Sequence, residues 1–155
     1  MRQILTLCII HQPPKVLLGF KKRGFGQGRW NGFGGKVKAG ESIEDAAVRE
    51  VREEAGVTVE DIERVGVLQF SFQGNPEILE VHVFSASRFI GEPTEGDEMK
   101  PRWYDEDEIP FGKMWPDDLY WFPLFLEGKK FRGKFTFDAS GREVIEAELN
   151  AVSKL

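Results

Sequence analysis

Residues 35–57 read GKVKAGESIEDAAVREVREEAGV, and this stretch decides how the rest of the chain must be arranged. Ser42 followed three residues later by Asp45 is a helix start of the capping-box kind. Ile43, Ala46, Ala47 and Val51 then recur at helical spacing, and Gly56 is a natural stop, which predicts a helix over Ser42–Ala55. Its charges oppose its own stability. With Ile43 at zero and about 100° per residue, the apolar stripe runs from Ala46 near ~−60° to Val51 near ~+80°. Glu50, Glu53 and Glu54 fall near ~−20°, ~−80° and ~+20°, on the core side. They also crowd one another at i, i+3 and i+4, toward the negative end of the helix dipole. A divalent cation removes both penalties, and hard oxygen donors with no His or Cys nearby favour Mg²⁺ or Mn²⁺ over zinc. The plainer reading is a solvated acidic face, which the placement of these carboxylates on the apolar side argues against.

Upstream, seven of the 17 glycines (Gly24, Gly26, Gly28, Gly32, Gly34, Gly35, Gly40) fall in one short segment. Such a density marks irregular backbone or close approach to a ligand. Glu41–Glu54 carries six acids and two bases, net −4, directly beside it. A loop next to a metal-holding helix reads as a phosphate site. Two common cradles do not fit: Lys36 is followed by Val37 and lacks the spacing of a Walker A loop, and Gly24-x-Gly26-x-Gly28 is not a dinucleotide fingerprint.

Further outward, Arg2–His11 reads as a buried strand turning through Gln12–Lys15 into Val16–Lys21. Val65–Gln73 and Ile78–Ala86 read as a hairpin around Gly74-Asn75-Pro76, and Lys100–Tyr104 as a short strand. Pro116–Leu126 is predicted helical with proline in its first turn, and Lys130–Phe137 with Glu143–Leu149 as a terminal hairpin. Strands interleaved with two helices predict an α/β or α+β layered domain.

Composition bounds the function. A chain of 155 residues with 41% hydrophobic content buries one core, so a single domain over 1–155 is expected. A net charge of −5 argues against coating nucleic acid. The lone Cys8 excludes an internal disulfide and a thiolate zinc cage. The apolar run Ile4–Ile10 is too short to span a membrane and has no signal cleavage site, so a cytoplasmic protein is expected, with nuclear and mitochondrial pools compatible. His11 and His82 have no second histidine at ligand spacing and read as structural or solvent-facing.

Gly35, five residues, Glu41, seven residues, Arg49-Glu50-Val51, one residue, Glu53-Glu54, one residue and Gly56-Val57 match every position of the Nudix box. The chain thus resembles the Nudix hydrolase superfamily. Lys21–Gly26, Gly28–Val37, Met114–Asp118 and Tyr120–Pro123 resemble its MutT-homologue branch, whose members hydrolyse oxidised purine nucleoside triphosphates. The likeness runs from about Ile4 to Leu149.

The resemblance implies a Nudix α/β/α sandwich with a mixed β-sheet and the Nudix loop-helix-loop. It implies Mg²⁺-dependent release of pyrophosphate and monophosphate from 8-oxo-dGTP, 2-oxo-dATP and related substrates such as O6-methyl-dGTP. Glu50, Glu53 and Glu54 would ligate the metal, with the Gly34 carbonyl and Glu98 as further ligands. The general base would be one of Glu50, Glu54 and Glu98; Glu54 is favoured, since a carboxylate beside the activated water is placed to take its proton. Arg49 would orient a carboxylate, and Lys21 would lie near the triphosphate. Base recognition maps onto Thr6, Phe25, Asn31, Phe70, Phe72, Leu79, Trp115, Asp117, Asp118 and Phe137. An indole platform with an amide and carboxyl groups can both stack on a purine and read its edge. Two adjacent carboxyls in a partly apolar pocket do not both ionise readily, so one donates while the other accepts. By dipole reasoning alone, Asp117-Asp118 would be an ordinary acidic first turn of a helix.

The alternatives are a Nudix pyrophosphohydrolase of ordinary nucleotides, capped RNA or dinucleoside polyphosphates, and a non-catalytic nucleotide-binding or RNA-binding Nudix domain. The intact box and the acidic charge balance count against the latter. A monomer with a small-molecule nucleotide partner, and no nucleic acid or membrane, is expected.

Overall fold

The computed structural model describes residues 2–155. Its strands are β1 (Arg2–Gln12), β2 (Lys15–Lys21), β3 (Trp30–Asn31), β4 (Thr58–Glu60), β5 (Glu63–Phe72), β6 (Ile78–Ala86), β7 (Arg88–Ile90), β8 (Met99–Asp105), β9 (Lys130–Phe137) and β10 (Val144–Val152). The helices are α1 (Ile43–Ala55) and α2 (Asp118–Leu126), with a 3₁₀ turn at Phe111–Lys113. Among the described residues no helix is long and apolar enough to cross a membrane.

The main sheet runs β10-β9-β5-β6-β1-β2-β3, with β8 also pairing with β2. It is mixed: β1 runs parallel to β6 and β5 parallel to β9, while β5–β6 and β9–β10 are antiparallel hairpins. The first turn joins β1 and β2 only from Ile10↔Leu17 to Gln12↔Lys15, whereas β8 pairs with β2 along its whole length, from Lys15↔Asp105 to Lys21↔Met99.

Alternation along the strands builds two cores. On one face Ile9, Leu68, Val83, Phe131 and Phe135 are covered by Trp121, Phe122 and Phe125 of α2. On the other, Cys8, Ile10, Leu17 and Phe84 are covered by Ala47, Val51 and Ala55 of α1. Helix, sheet and helix form the expected sandwich, and burying these side chains supplies its main driving force.

α1 starts and stops where its sequence dictates. The Ser42 hydroxyl accepts from the Asp45 N–H at 3.0 Å, and Gly56 closes the helix in the left-handed conformation with its N–H on the Arg52 carbonyl. α2 starts later than its proline suggests, at Asp118, with Asp117 as its N-cap. Asp117 caps nothing with its side chain, because its carboxyl accepts from the Trp121 Nε1–H at 2.7 Å instead. The short strands β3, β4 and β7 add to the strands the sequence predicts, and β4 and β7 form a separate two-stranded ladder.

Candidate active site

The glycine loop crosses β1 at a distance only glycine permits. Thr6 N–H donates to the Gly35 carbonyl at 2.9 Å, and a Cβ on Gly34 would lie 1.8 Å from the Thr6 carbonyl oxygen. A Cβ on Gly35 would meet Glu50 Oε1 at 2.6 Å, so the helix carboxylate packs directly on the loop backbone.

Two of the three helix carboxylates turn inward as the angular placement predicts. Glu54 Oε1 accepts from the Gly34 N–H at 2.9 Å, and Glu50 Oε1 accepts from Arg49 Nη1 at 2.9 Å. Glu53 is the exception: it sits at the edge of the stripe, and its side chain is 51% exposed with Arg49 Nη1 at 3.2 Å. Arg49 is the hub of this region, also donating to Glu41 through Nε and Nη2 at 2.7 and 2.9 Å and to the Lys36 carbonyl. These bonds hold the Glu41 carboxyl down at about 2.

Glu98 reaches the same place from the loop before β8. Lys21 Nζ stands 3.9 Å from Glu54 Oε2 and 3.4 Å from Glu98 Oε2, an ammonium between two carboxylates. Arg23 also bonds Glu98, and this contact leads in holding its carboxyl below the ordinary range. Glu54 moves the other way. Burial pushes its carboxyl up to about 7, with the nearby charges of Glu50 and Glu98 adding to the rise against the Gly34 N–H and Lys21.

Beside these groups lies a cavity of about 480 Å³. It is lined by Thr6, Lys21, Phe25, Asn31, Gly34, Glu54, Phe70, Phe72, Leu79, Trp115, Asp117, Asp118 and Phe137, which includes every residue the resemblance pointed to for base and triphosphate. Glu50, Glu53 and Glu98 stand outside the lining. Phe72 and Phe137 stack at 5.1 Å, and Phe25, 70% exposed, tilts over Trp115 at 5.1 Å.

Asp117 and Asp118 are both buried in this wall. Burial raises Asp117 to about 6, opposed by the Trp121 bond, and raises Asp118 well above the usual carboxyl range, with the Asp117 charge adding to it. Burial and the mutual repulsion of the two carboxylates disfavour ionising both at once. Asp118 Oδ2 and Thr6 Oγ1 are both buried with no hydrogen-bond partner, so two polar atoms of the wall are unsatisfied by the protein itself.

Sequence reading missed the cavity floor of Gln3, Leu5, Leu7 and Val81. Its signal was the period of two in β1 and β6, which puts Leu5 opposite Val81 and Leu7 opposite Val83. His82 is buried and bonds Glu80 at 2.7 Å, and His11 bonds Glu106 at 2.9 Å, both structural as expected. A further acidic trio, Asp105, Asp107 and Glu108, lies at the far end of the β2–β8 ladder, where Asp105 pairs with Lys15.

Comparison with known proteins agrees with this architecture. The NUDIX domain model matches residues 1–125. The chain is 56% identical over 135 residues to the oxidized purine nucleoside triphosphate hydrolase of Mus musculus, covering 87% of this chain and 86% of that protein. It is 53% identical over 154 residues to the protein of the same name from Danio rerio, covering 99% and 97%. The crystal structure of a mutator MutT protein from Bacillus halodurans superposes with a TM-score of 0.86 at 30% identity, covering 96% of this chain and 97% of that one. With its signature helix, mixed sheet and these relatives, the chain belongs to the Nudix family of hydrolases.

Proposed function

We propose that this chain is a single-domain, Mg²⁺-dependent pyrophosphohydrolase of oxidised purine nucleoside triphosphates, releasing the monophosphate and pyrophosphate. The carrying observation is the buried Asp117–Asp118 pair with its unsatisfied Asp118 Oδ2, set in the wall of the same cavity that Glu54 lines. The relatives from mouse and zebrafish, named for that substrate class, support the choice.

The residues fit a divalent cation. The donors are oxygens, Glu54 is held near neutrality by burial among like charges, and the Lys21 ammonium stands between Glu54 and Glu98 where positive charge is wanted. Glu50, Glu54, Glu98 and the Gly34 carbonyl would hold it, with Glu53 at the rim. Magnesium bound there supplies positive charge against the triphosphate and acidifies water.

The protein's own groups do the rest. Glu54, fixed by the Gly34 N–H, accepts a proton from water as the water oxygen bonds to phosphorus and the α–β anhydride bond breaks, with pyrophosphate leaving. Lys21 neutralises phosphate charge from the cavity edge, and Arg49 orients Glu50 and Glu53. Trp115 stacks on the base, and Phe72 and Phe137, edge-on to the indole, wall its rim. The Asp117–Asp118 pair, carrying one proton, both donates to and accepts from its edge, and Asn31, whose Oδ1 is taken by the Gly32 N–H, offers its amide NH₂. An 8-oxo purine presents N7–H where guanine presents an acceptor, and a carboxylate beside that position discriminates between them.

We place this activity in sanitation of the nucleotide pool ahead of DNA synthesis, by a monomer whose cavity is lined by one chain, in the cytoplasm with nuclear and mitochondrial pools. Steady-state kinetics of Asp117→Asn on 8-oxo-dGTP, 2-oxo-dATP, O6-methyl-dGTP and dGTP test the recognition model. A fall in kcat/KM of about tenfold to a hundredfold for the oxidised purines is expected; an unchanged ranking would withdraw the base-pocket assignment.

A further inference from the structure

Arg29 has no role in the scheme above, yet it is tightly placed. Its guanidinium carbon lies 3.9 Å from the centroid of the Trp115 ring, within cation–π range. Its Nη2 donates to the Gly141 carbonyl at 3.1 Å. The backbone is fixed as well: Arg29 N–H donates to the Gly26 carbonyl, and the Arg29 carbonyl accepts from Lys21 N–H. One side chain therefore joins the glycine loop, the indole ahead of α2 and the turn between β9 and β10.

The indole is closely gripped at its edges. A Cβ on Gly26 would lie 3.2 Å from Trp115 Nε1, and one on Gly141 would lie 3.0 Å from Cζ3. Phe72 and Phe137 meet the ring edge-on at 6.2 and 5.8 Å. A partly exposed tryptophan at an open cavity loses rotamer freedom when a flat ligand settles on it, and fixing the ring beforehand removes that cost from binding. The Arg29 charge also reaches the neighbouring acids, opposing the rise that burial imposes on Asp117 and Asp118.

We propose that Arg29 is a positioning residue for base recognition, locking the Trp115 indole as a preformed platform by stacking on it and tying it to the Gly141 turn. The proposal deepens the base-pocket reading and rests on it. Arg29 acts through Trp115 and the acid pair.

Arg29→Gln removes both stacking charge and fork, whereas Arg29→Lys keeps the charge and loses the planar fork. Near-ultraviolet circular dichroism of the ligand-free protein reads the indole directly. Arg29→Gln should lose the same band that Trp115→Phe loses, with far-ultraviolet spectra unchanged. With 8-oxo-dGTP its KM should rise about tenfold while kcat stays within about twofold. Below the Glu54 titration, the part of the acid limb of its kcat/KM profile that follows Asp117 should move to higher pH as Asp117 loses a nearby positive charge. Arg29→Lys should restore that limb but neither the dichroic band nor KM. An Arg29→Gln protein with an unaltered tryptophan band overturns the proposal, as does one whose kcat falls at constant KM. Should the wild type turn over no oxidised nucleotide, the functional reading fails, and the dichroism of Arg29→Gln against Trp115→Phe still decides the clamp.

Discussion

The Gly34 N–H donates to Glu54 Oε1 across 2.9 Å, so the loop and the helix of the signature are held together through a side chain that lines the cavity. Glu54 is thereby anchored, its side chain only 10% exposed, while still lining the cavity. Glu54→Gln keeps an acceptor for that N–H but cannot take a proton. It should fold with a Tm within a few degrees of wild type and lose about 10²- to 10⁴-fold in kcat, read by pyrophosphate release and thermal melting. Retention of more than about a tenth of the activity would assign the base elsewhere.

The close crossing of the loop over β1 gives a second test. At Gly34 an added methyl meets backbone, the Thr6 carbonyl 1.8 Å away, and neither partner can yield. Gly34→Ala should cost about 3 kcal/mol or more, a fall in Tm of about 6–12 °C. At Gly35 the obstacle is the end of the Glu50 side chain, which can swing aside. Gly35→Ala should therefore fold and lose activity instead. Equal melting of the two variants would contradict the geometry.

Buried Asp117 and Asp118 make stability depend on pH in a stated direction. Their carboxyls are raised in the folded state, Asp117 to about 6 and Asp118 further, so the native protein holds protons that the unfolded chain releases near 3.8. The stability tied to those protons is complete below the ordinary carboxyl range and is lost as pH rises through about 6 and beyond. Asp118→Asn removes one titrating group, so its Tm should decline less than that of wild type across roughly pH 5 to 8. A variant that declines as steeply as wild type would show that the pair is not the source.

Chelation probes the carboxylate set. Treatment with EDTA should abolish turnover, and Mg²⁺ or Mn²⁺ should restore it. Adding Mg²⁺ to the apo protein should also raise Tm, since an ion that binds the folded state alone stabilises it. Full activity in EDTA would rule out the metal reading of Glu50, Glu54 and Glu98.

The parts of the fold that local sequence specifies were legible. The Ser42 cap, the Gly56 stop and the inward aim of Glu50 and Glu54 follow from residues within one helix, and each appears as the spacing requires. Glu53 lay at the margin of the stripe, where a few tens of degrees separate core from solvent, and it went to solvent. β4 and β7, three residues each, are too short to show alternation, and they exist because they pair with each other. Gln3, Leu5 and Leu7 join the cavity through the parallel β1–β6 pairing, and Arg29 meets Gly141 across a sequence separation of 112 residues. The Asp117–Asp118 pair looked like an ordinary helix start; its burial and its bond to Trp121, products of tertiary packing, distinguish it.

Pyrophosphate release by the wild-type protein with Mg²⁺, measured side by side on 8-oxo-dGTP and dGTP, tests the central claim most directly. The account expects kcat/KM for the oxidised nucleotide to exceed that for dGTP by about tenfold or more, the order a buried polar group reading one base edge can supply. Equal turnover of the two, or cleavage of neither, would contradict it.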